Sequence, residues 1–207
     1  MRYVRYKLIV LIASLILSQK CLLAQELIGN KEKFGFKFGL NQTKMNFELG
    51  YYQPPTIPLQ TSGSQGIMVG FLLNVHLTHK LLLQPEYLYT VRKSNVRSSR
   101  TTYKLTYLSL PVLLNYQFNK KFFFLAGPQF DLLLKGEEKS STGTDNITHD
   151  TEERNFCATA GMEFLLTRLI SLEARYLHGL GNVGIGQRSN VKEFKYQSAQ
   201  LSVNLRF

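Results

Sequence analysis

Cysteine is scarce in this chain, and its scarcity excludes a disulfide-based scaffold. The sequence holds two cysteines, Cys21 and Cys157. Cys21 falls within a predicted signal peptide, so only Cys157 remains in the exported chain, and one cysteine cannot form an internal disulfide. Because Ala158 and Ala160 lie beside it in an alternating segment, we interpret Cys157 as a small packed residue.

Long apolar runs are also missing, which excludes a protein that crosses a membrane with helices. The run Leu8–Leu17 covers ten residues, whereas a transmembrane helix needs about 20. No later run comes closer to that length. A transmembrane β-barrel gives the same signal, because only every second residue of its strands faces lipid.

The first residues follow the order of a secretory signal peptide. Basic residues precede the apolar run, and Leu22–Ala24 follows it as a cleavage site. We therefore predict that residues 1–24 form a signal peptide, which is cleaved between Ala24 and Gln25. Residues 25–33 are predicted to form a periplasmic lead-in.

Clustered positive charge is a third absence. The chain has 25 Lys and Arg residues against 14 Asp and Glu, and removing the four basic residues of the signal peptide leaves a net charge of +7. The remaining basic residues are spread over turns and loops. We therefore expect them to face the anionic headgroups of the outer-membrane lipid, and we expect no nucleic-acid partner.

Alternation of apolar and polar residues fills most of residues 34–207 and predicts β-strands. The clearest stretch is Tyr107–Asp131, in which two alternating segments are joined by Asn119–Lys121. Residues of one parity share one face of a strand. Eight such strands are predicted, at residues 34–40, 67–77, 81–92, 107–118, 122–134, 155–164, 170–176 and 199–207.

The connections between these strands alternate between long and short. Long loops are predicted at Asn41–Gln65, residues 93–102, Lys135–Glu153 and residues 179–195, and three short turns lie between them. Outer-membrane barrels have long external loops, short periplasmic turns and an even number of strands. Residues 34–207 are therefore predicted to form an all-β, eight-stranded antiparallel up-and-down barrel in the cell outer membrane.

Aromatic residues and prolines add detail to this prediction. Aromatic side chains fall at two levels, as the two interfaces of a membrane require; the level near the long loops comprises Tyr87, Tyr89, Phe130, Phe156, Tyr176 and Tyr196. Pro85, Pro111 and Pro128 each remove a backbone donor from a predicted strand. We expect bulges at these prolines, or fewer membrane-embedded residues.

Charged residues on the polar parity of the strands are predicted to face the lumen. They are Lys33, Lys37, Arg92, Arg175 and Arg206, opposed by Glu86, Asp131, Glu163 and Glu173. An eight-stranded barrel is only wide enough for its own side chains. We therefore predict a lumen ion-pair network of Glu86, Arg92, Asp131, Glu163, Glu173, Arg175 and Arg206. The alternative is an ion-selective or proton-conducting path.

We predict no catalytic residue, no cofactor and no metal site. The histidines His76, His79, His149 and His178 lack metal-ligand spacing to carboxylates or to Cys157, and no phosphate-binding motif occurs. His149-Asp150, near Ser140, is the one candidate for hydrolysis. Its loop would have to be rigid to work, and the polar composition of that loop indicates the opposite.

Several short motifs resemble one known family. They are Ala24-Gln25, Gly39-Leu40-Asn41, Tyr107–Leu114 with the sequence YLSLPVLL, Gly127-Pro128, Arg175-Tyr176, Gly179-Leu180 and the terminal Phe207. The set resembles the PorT-like outer-membrane β-barrel family of Gram-negative bacteria. The resemblance implies an eight-stranded barrel in the outer membrane and carries over no catalytic motif.

The sequence thus predicts a non-enzymatic barrel with a closed lumen, which is structural or docks a protein partner through its external loops. Phe207 ends the last strand and is predicted to be the signal read by the barrel-assembly machinery. The alternatives are a small pore or transporter for ions or small solutes, and a loop-based hydrolase.

Overall fold

The computed structural model consists of antiparallel β-strands, and it describes residues 33–49, 61–96, 101–140, 143–185 and 192–207. The predicted signal peptide, its cleavage site and residues 25–32 lie outside the described residues. The strands are β1 (Lys33–Leu49), β2 (Thr61–His76), β3 (Leu81–Val96), β4 (Thr101–Gln117), β5 (Phe122–Ser140), β6 (Gly143–Asn146), β7 (Arg154–Leu165), β8 (Ile170–Gly179), β9 (Val183–Ile185) and β10 (Lys192–Arg206).

Eight of these strands close into a barrel. The order around it is β1-β2-β3-β4-β5-β7-β8-β10, and β10 returns to pair with β1. The closing register runs from Gly35 opposite Arg206 to Leu49 opposite Lys192. The two short strands lie outside this ring, with β6 paired to β5 and β9 paired to β10. The predicted eight-stranded antiparallel barrel is confirmed, and no helix in the described ranges is long and apolar enough to span a bilayer.

Over most of the barrel's height, apolar side chains face outward and polar side chains face inward, which is the reverse of a soluble protein. Phe38 and Leu40 point outward and are 50% and 56% exposed, whereas Lys37 of the same strand points into the lumen and is fully buried. The outward side chains are apolar or aromatic from Leu108 of β4 down to Phe118, the first residue after that strand. These ten residue steps span about 33 Å along the strand at ~3.3 Å each. A barrel tilt near 40° reduces this to about 25 Å, the height of a lipid-facing band.

Beyond this band the pattern reverses. Gln42 and Lys44 of β1 are exposed on the outside, while Met45 is buried inside. This part projects on the side of the long connections, which is the outside of the cell in outer-membrane barrels. We call it the extension. It comprises residues 42–49, 61–65, 93–96, 101–106, 135–140, 143–154, 179–185 and 192–198.

The extension corrects the predicted loops. Strand β1 continues to Leu49 and β2 begins at Thr61, so the loop predicted for Asn41–Gln65 is mostly strand. The stretch predicted as a solvated loop at Lys135–Glu153 begins instead with a hairpin of β5 and β6. These predictions were wrong because apolar side chains face outward within the lipid-facing band but inward in the extension. A search for one continuous alternating pattern therefore ends the strand at the edge of the band.

The predicted bulges at the three prolines are also absent. Pairing of β4 with β5 keeps one register across Pro111 and Pro128, although the positions between the Pro111–Gln129 and Leu114–Ala126 pairs are unpaired. The missing donors are therefore accommodated by a local loss of pairing. Register shifts occur elsewhere, between Ser64 and Met68 in β2 and between Thr106 and Tyr107 in β4.

Candidate functional site

A group of four charged side chains lies across the middle of the lumen. Lys37 of β1 places its Nζ 2.6 Å from Oε1 of Glu86 on β3 and 2.9 Å from both carboxylate oxygens of Glu173 on β8. Arg175, also on β8, pairs with the same two carboxylates. Since β3 and β8 are four strands apart in a ring of eight, the Glu86–Arg175 pair spans the full width of the lumen.

A second set of charges lies next to this group, towards the short turns. Arg206 of β10 pairs with Glu163 of β7 and donates to Oγ of Ser171 at 3.0 Å. The Asn204 amide donates to Glu173 at 2.9 Å and to Glu163 at 3.4 Å. This amide joins the two sets into one network of three cations and three anions, which we call the lower network.

Arg92 and Asp131 form a separate upper cluster. Nη1 of Arg92 lies 2.9 Å from Oδ2 of Asp131 and donates to the Tyr196 hydroxyl at 2.8 Å. The guanidinium is held between the rings of Tyr107 and Tyr196, with its Cζ 5.0 Å and 4.5 Å from their centroids. The Cys157 thiol donates to Asp131 at 3.3 Å. These contacts fix a charge pair that is fully buried.

An apolar cluster packs against the Arg92–Asp131 pair. Its members come from both the barrel wall and the extension, and all of them are buried. The apolar cluster comprises Met45, Tyr103, Leu105, Tyr107, Ile147, Cys157, Leu177, Val183, Phe194 and Tyr196. An unpaired charge placed among these side chains would be costly to bury.

These contacts account for the buried charges that the sequence placed in the lumen. All seven residues of the predicted network are buried, and Lys37 joins them. Lys33, also assigned to the lumen, is exposed at the end of β1, where it lines the periplasmic mouth of the barrel. The described interior charges therefore balance, with four cations against four anions. Tyr196 was assigned to an aromatic belt, which is wrong: it shares the inward parity of Arg206, and continuing that parity up β10 would have found it.

The family follows from comparison with known sequences. Residues 23–184 match the family model described as the outer membrane protein beta-barrel domain. The chain belongs to this family. It is therefore an outer membrane β-barrel by its sequence, in agreement with the outward apolar band. A search of curated protein sequences gives no significant match.

Solved structures show the same fold. The chain is similar to neisserial surface protein A (NspA), with a TM-score of 0.54, 12% identity, and coverage of 84% of this chain and 97% of that one. It is similar to outer membrane protein AlkL in DMPC lipid bilayers, with a TM-score of 0.54, 11% identity, and coverage of 86% and 91%. At these identities the likeness concerns the fold alone.

The lumen of this outer membrane β-barrel has a vestibule at its periplasmic end. A cavity of about 200 Å³ is lined by residues at the ends of the strands, including Lys33, Asn74 and Phe123. Its inner wall contains Arg206 and Glu163, which pair with each other. The vestibule therefore ends at the lower network. Phe207 lies at the same end, where its backbone N–H donates to the Phe34 carbonyl at 2.8 Å; its assembly role stays a prediction.

The outer surface of the extension carries its own ion pairs. Glu137 accepts hydrogen bonds from Lys135 and from Lys104, with N–O distances of 2.6 Å and 2.9 Å. The ammonium of Lys135, followed by that of Lys104, holds the pKa of Glu137 at about 2. This carboxylate is therefore charged at neutral pH.

The structure places His149, the hydrolase candidate, on the surface of the extension. His149 is exposed in the turn after Ile147, and the nearby Thr151 hydroxyl donates to the Ile147 carbonyl at 2.8 Å. The Thr151 hydroxyl is therefore engaged with the backbone of the turn. Within the described residues, no three His, Cys, Asp or Glu side chains are grouped as a metal site needs.

Proposed function

We propose that this outer membrane β-barrel is a non-enzymatic, non-conducting protein that docks a macromolecular partner through its extension. The observation that carries the proposal is that buried side chains from different strands meet inside the barrel at two levels. Side chains from opposite strands meet in the Glu86–Arg175 pair, and the apolar cluster packs above them. An ion would have to separate buried charge pairs and then cross a dry layer.

The extension supports docking over a purely structural role. A barrel that only spans the membrane has no need for strands that continue beyond the lipid-facing band with a packed interior. Leu105 and Phe194 are almost fully buried in that interior, which makes the extension a rigid platform. The four residues of β6 are all exposed, and β6 pairs only with β5. One edge of β6 is thus free of strand pairing among the described residues, and a free edge can accept a partner strand.

We assign the chain to the PorT-like branch of its family as part of the same proposal. The support is the YLSLPVLL run, which forms the membrane-crossing half of β4 at Tyr107–Leu114.

Site-specific photocrosslinking in cells that naturally produce the protein tests the docking proposal. A photoreactive amino acid at Thr144 of β6 should give a discrete, saturable adduct, since this side chain is exposed at the free edge. The matched control is the same amino acid at Lys120, which is exposed in a periplasmic turn. Adducts of the same partners at both positions, or no adduct at Thr144, would contradict the proposal.

A further inference from the structure

We propose that three lysines at the outer rim of the lipid-facing band bind the phosphate group of an anionic lipid in the outer leaflet. The residues are Lys93 on β3, Lys104 on β4 and Lys135 on β5, and we call them the lysine row. The site is separate from the proposed docking edge at β6.

The register of the sheet brings two of these lysines face to face. Lys93 and Lys104 are directly opposite each other on adjacent strands. Their sequence neighbours Arg92, Ser94, Tyr103 and Leu105 are buried inside the barrel. Since side chains alternate along a strand, both lysines point outward. Like charges that face each other across two strands destabilise a sheet. An anion between the two ammonium groups removes this repulsion, and so the pair is better explained by a ligand than by the fold.

The protein itself neutralises only part of this charge. Glu137 faces Lys104 from β5 and binds both Lys104 and Lys135. On its other side Lys93 faces Ser64 of β2, which is uncharged. Lys93 forms no ion pair within the described residues. Three cations therefore share one carboxylate, which leaves a net charge of +2 at this surface.

The position of the lysine row identifies the occupant as a lipid. Lys93 is the first charged outward residue above the lipid-facing band on β3, four residues beyond Tyr89, which is 46% exposed. On β5, Lys135 directly follows Leu134, which is 50% exposed. A phosphate held by the lysines thus has its acyl chains beside an apolar wall. Each lysine near an anionic membrane surface strengthens binding by about fivefold.

A soluble phospholipid of defined headgroup is the probe. The full-length protein in dodecyl maltoside micelles, which contain no phosphate, is titrated with dihexanoyl-phosphatidic acid while backbone amide shifts are followed by NMR. The same titration is run with dihexanoyl-phosphatidylcholine and with inorganic phosphate. The variants are Lys93→Gln and Lys104→Gln. Lys44→Gln is the matched control, because Lys44 is outward and exposed at similar height but faces Gln197.

The proposal predicts saturable shifts at residues 93, 104 and 135 with phosphatidic acid, and roughly fivefold weaker binding in each of the two row variants. Lys44→Gln should bind as the wild type does. Lys93→Arg should retain binding, and Lys93→Gln should unfold at the same temperature as wild type or higher, since it removes a repulsion. Equal losses in Lys44→Gln, or inorganic phosphate binding as tightly as the lipid, would overturn the lipid site.

Discussion

Arg175 and Glu86 pair across the lumen from strands that lie on opposite sides of the barrel. Lys37 binds the same carboxylate from a third strand at 2.6 Å. The wall is therefore tied together through its interior as well as through its ladder of backbone hydrogen bonds. All three side chains are at least nine-tenths buried, so each charge depends on its partners for compensation.

Arg175→Ala is expected to lower the free energy of unfolding by about 3–5 kcal/mol, because it leaves Glu86 and Glu173 with only Lys37 between them. Urea unfolding in dodecyl maltoside, followed by heat-modifiable mobility on gels, measures this change. Arg168→Ala is the control, since Arg168 is exposed in a turn, and it should change stability by less than about 0.5 kcal/mol.

A compensating variant sharpens this test. Adding Glu86→Gln to Arg175→Ala leaves one cation facing one anion, so part of the lost stability should return. If the double variant is no more stable than Arg175→Ala, or if Arg168→Ala costs as much, the stabilising role of the lower network is wrong.

Gly127→Ala should reduce the yield of folded barrel. A Cβ at this position would overlap with the carbonyl oxygen of Val112 on the neighbouring strand, and backbone cannot move aside as a flexible side chain can. Gly143→Ala is the matched control, because nothing lies within 4 Å of its Cβ position. The measurement is the heat-modifiable fraction in outer-membrane preparations. Equal yields of the two variants would show that β4 and β5 are not so close.

Leu105→Ala is expected to destabilise the barrel by about 2–5 kcal/mol, because it opens a cavity in the apolar cluster. Leu105 is fully buried although it lies in the extension. Leu169→Ala in an exposed turn is the control and should cost less than about 0.5 kcal/mol. Denaturant unfolding measures both, and a neutral Leu105→Ala would mean that the extension has no packed core.

These buried positions show what the sequence could and could not predict. Alternation found all eight barrel strands, because lipid outside and polar atoms inside repeat with a period of two along each one. It missed the upper ends of β1, β4 and β10. There the apolar residues, such as Met45, Leu105 and Phe194, face the inside of the barrel and not the lipid, so the alternation of the lower strand is not continued. Parity also placed the lumen charges on the correct face.

The sequence could not predict which of those charges pair with each other. Which carboxylate meets Arg175 depends on how β3 and β8 face each other across the closed ring, and this follows from the closure of the barrel. Alternation along one strand contains no such information. The same holds for Arg92, whose two tyrosine neighbours come from β4 and β10.

The Cys157 thiol should be unreactive in the folded barrel. Its side chain is buried and bonded to Asp131 and Tyr196, and a reagent would have to cross either the lower network or the apolar cluster to reach it. Maleimide labelling is expected only after unfolding in urea. A Ser62→Cys variant, which places a thiol on a partly exposed strand of the extension, is the positive control. Rapid labelling of folded wild type would indicate an open lumen.

Planar-bilayer recording tests closure of the lumen most directly. Purified wild-type protein is inserted into the bilayer, and insertion is verified by heat-modifiable mobility of protein recovered from matched vesicles. We predict no current above that of the bare bilayer at any voltage the membrane tolerates, because the Glu86–Arg175 pair and the apolar cluster each block the path. Stable, ion-selective unitary currents from the wild type would contradict the closed lumen and indicate a pore.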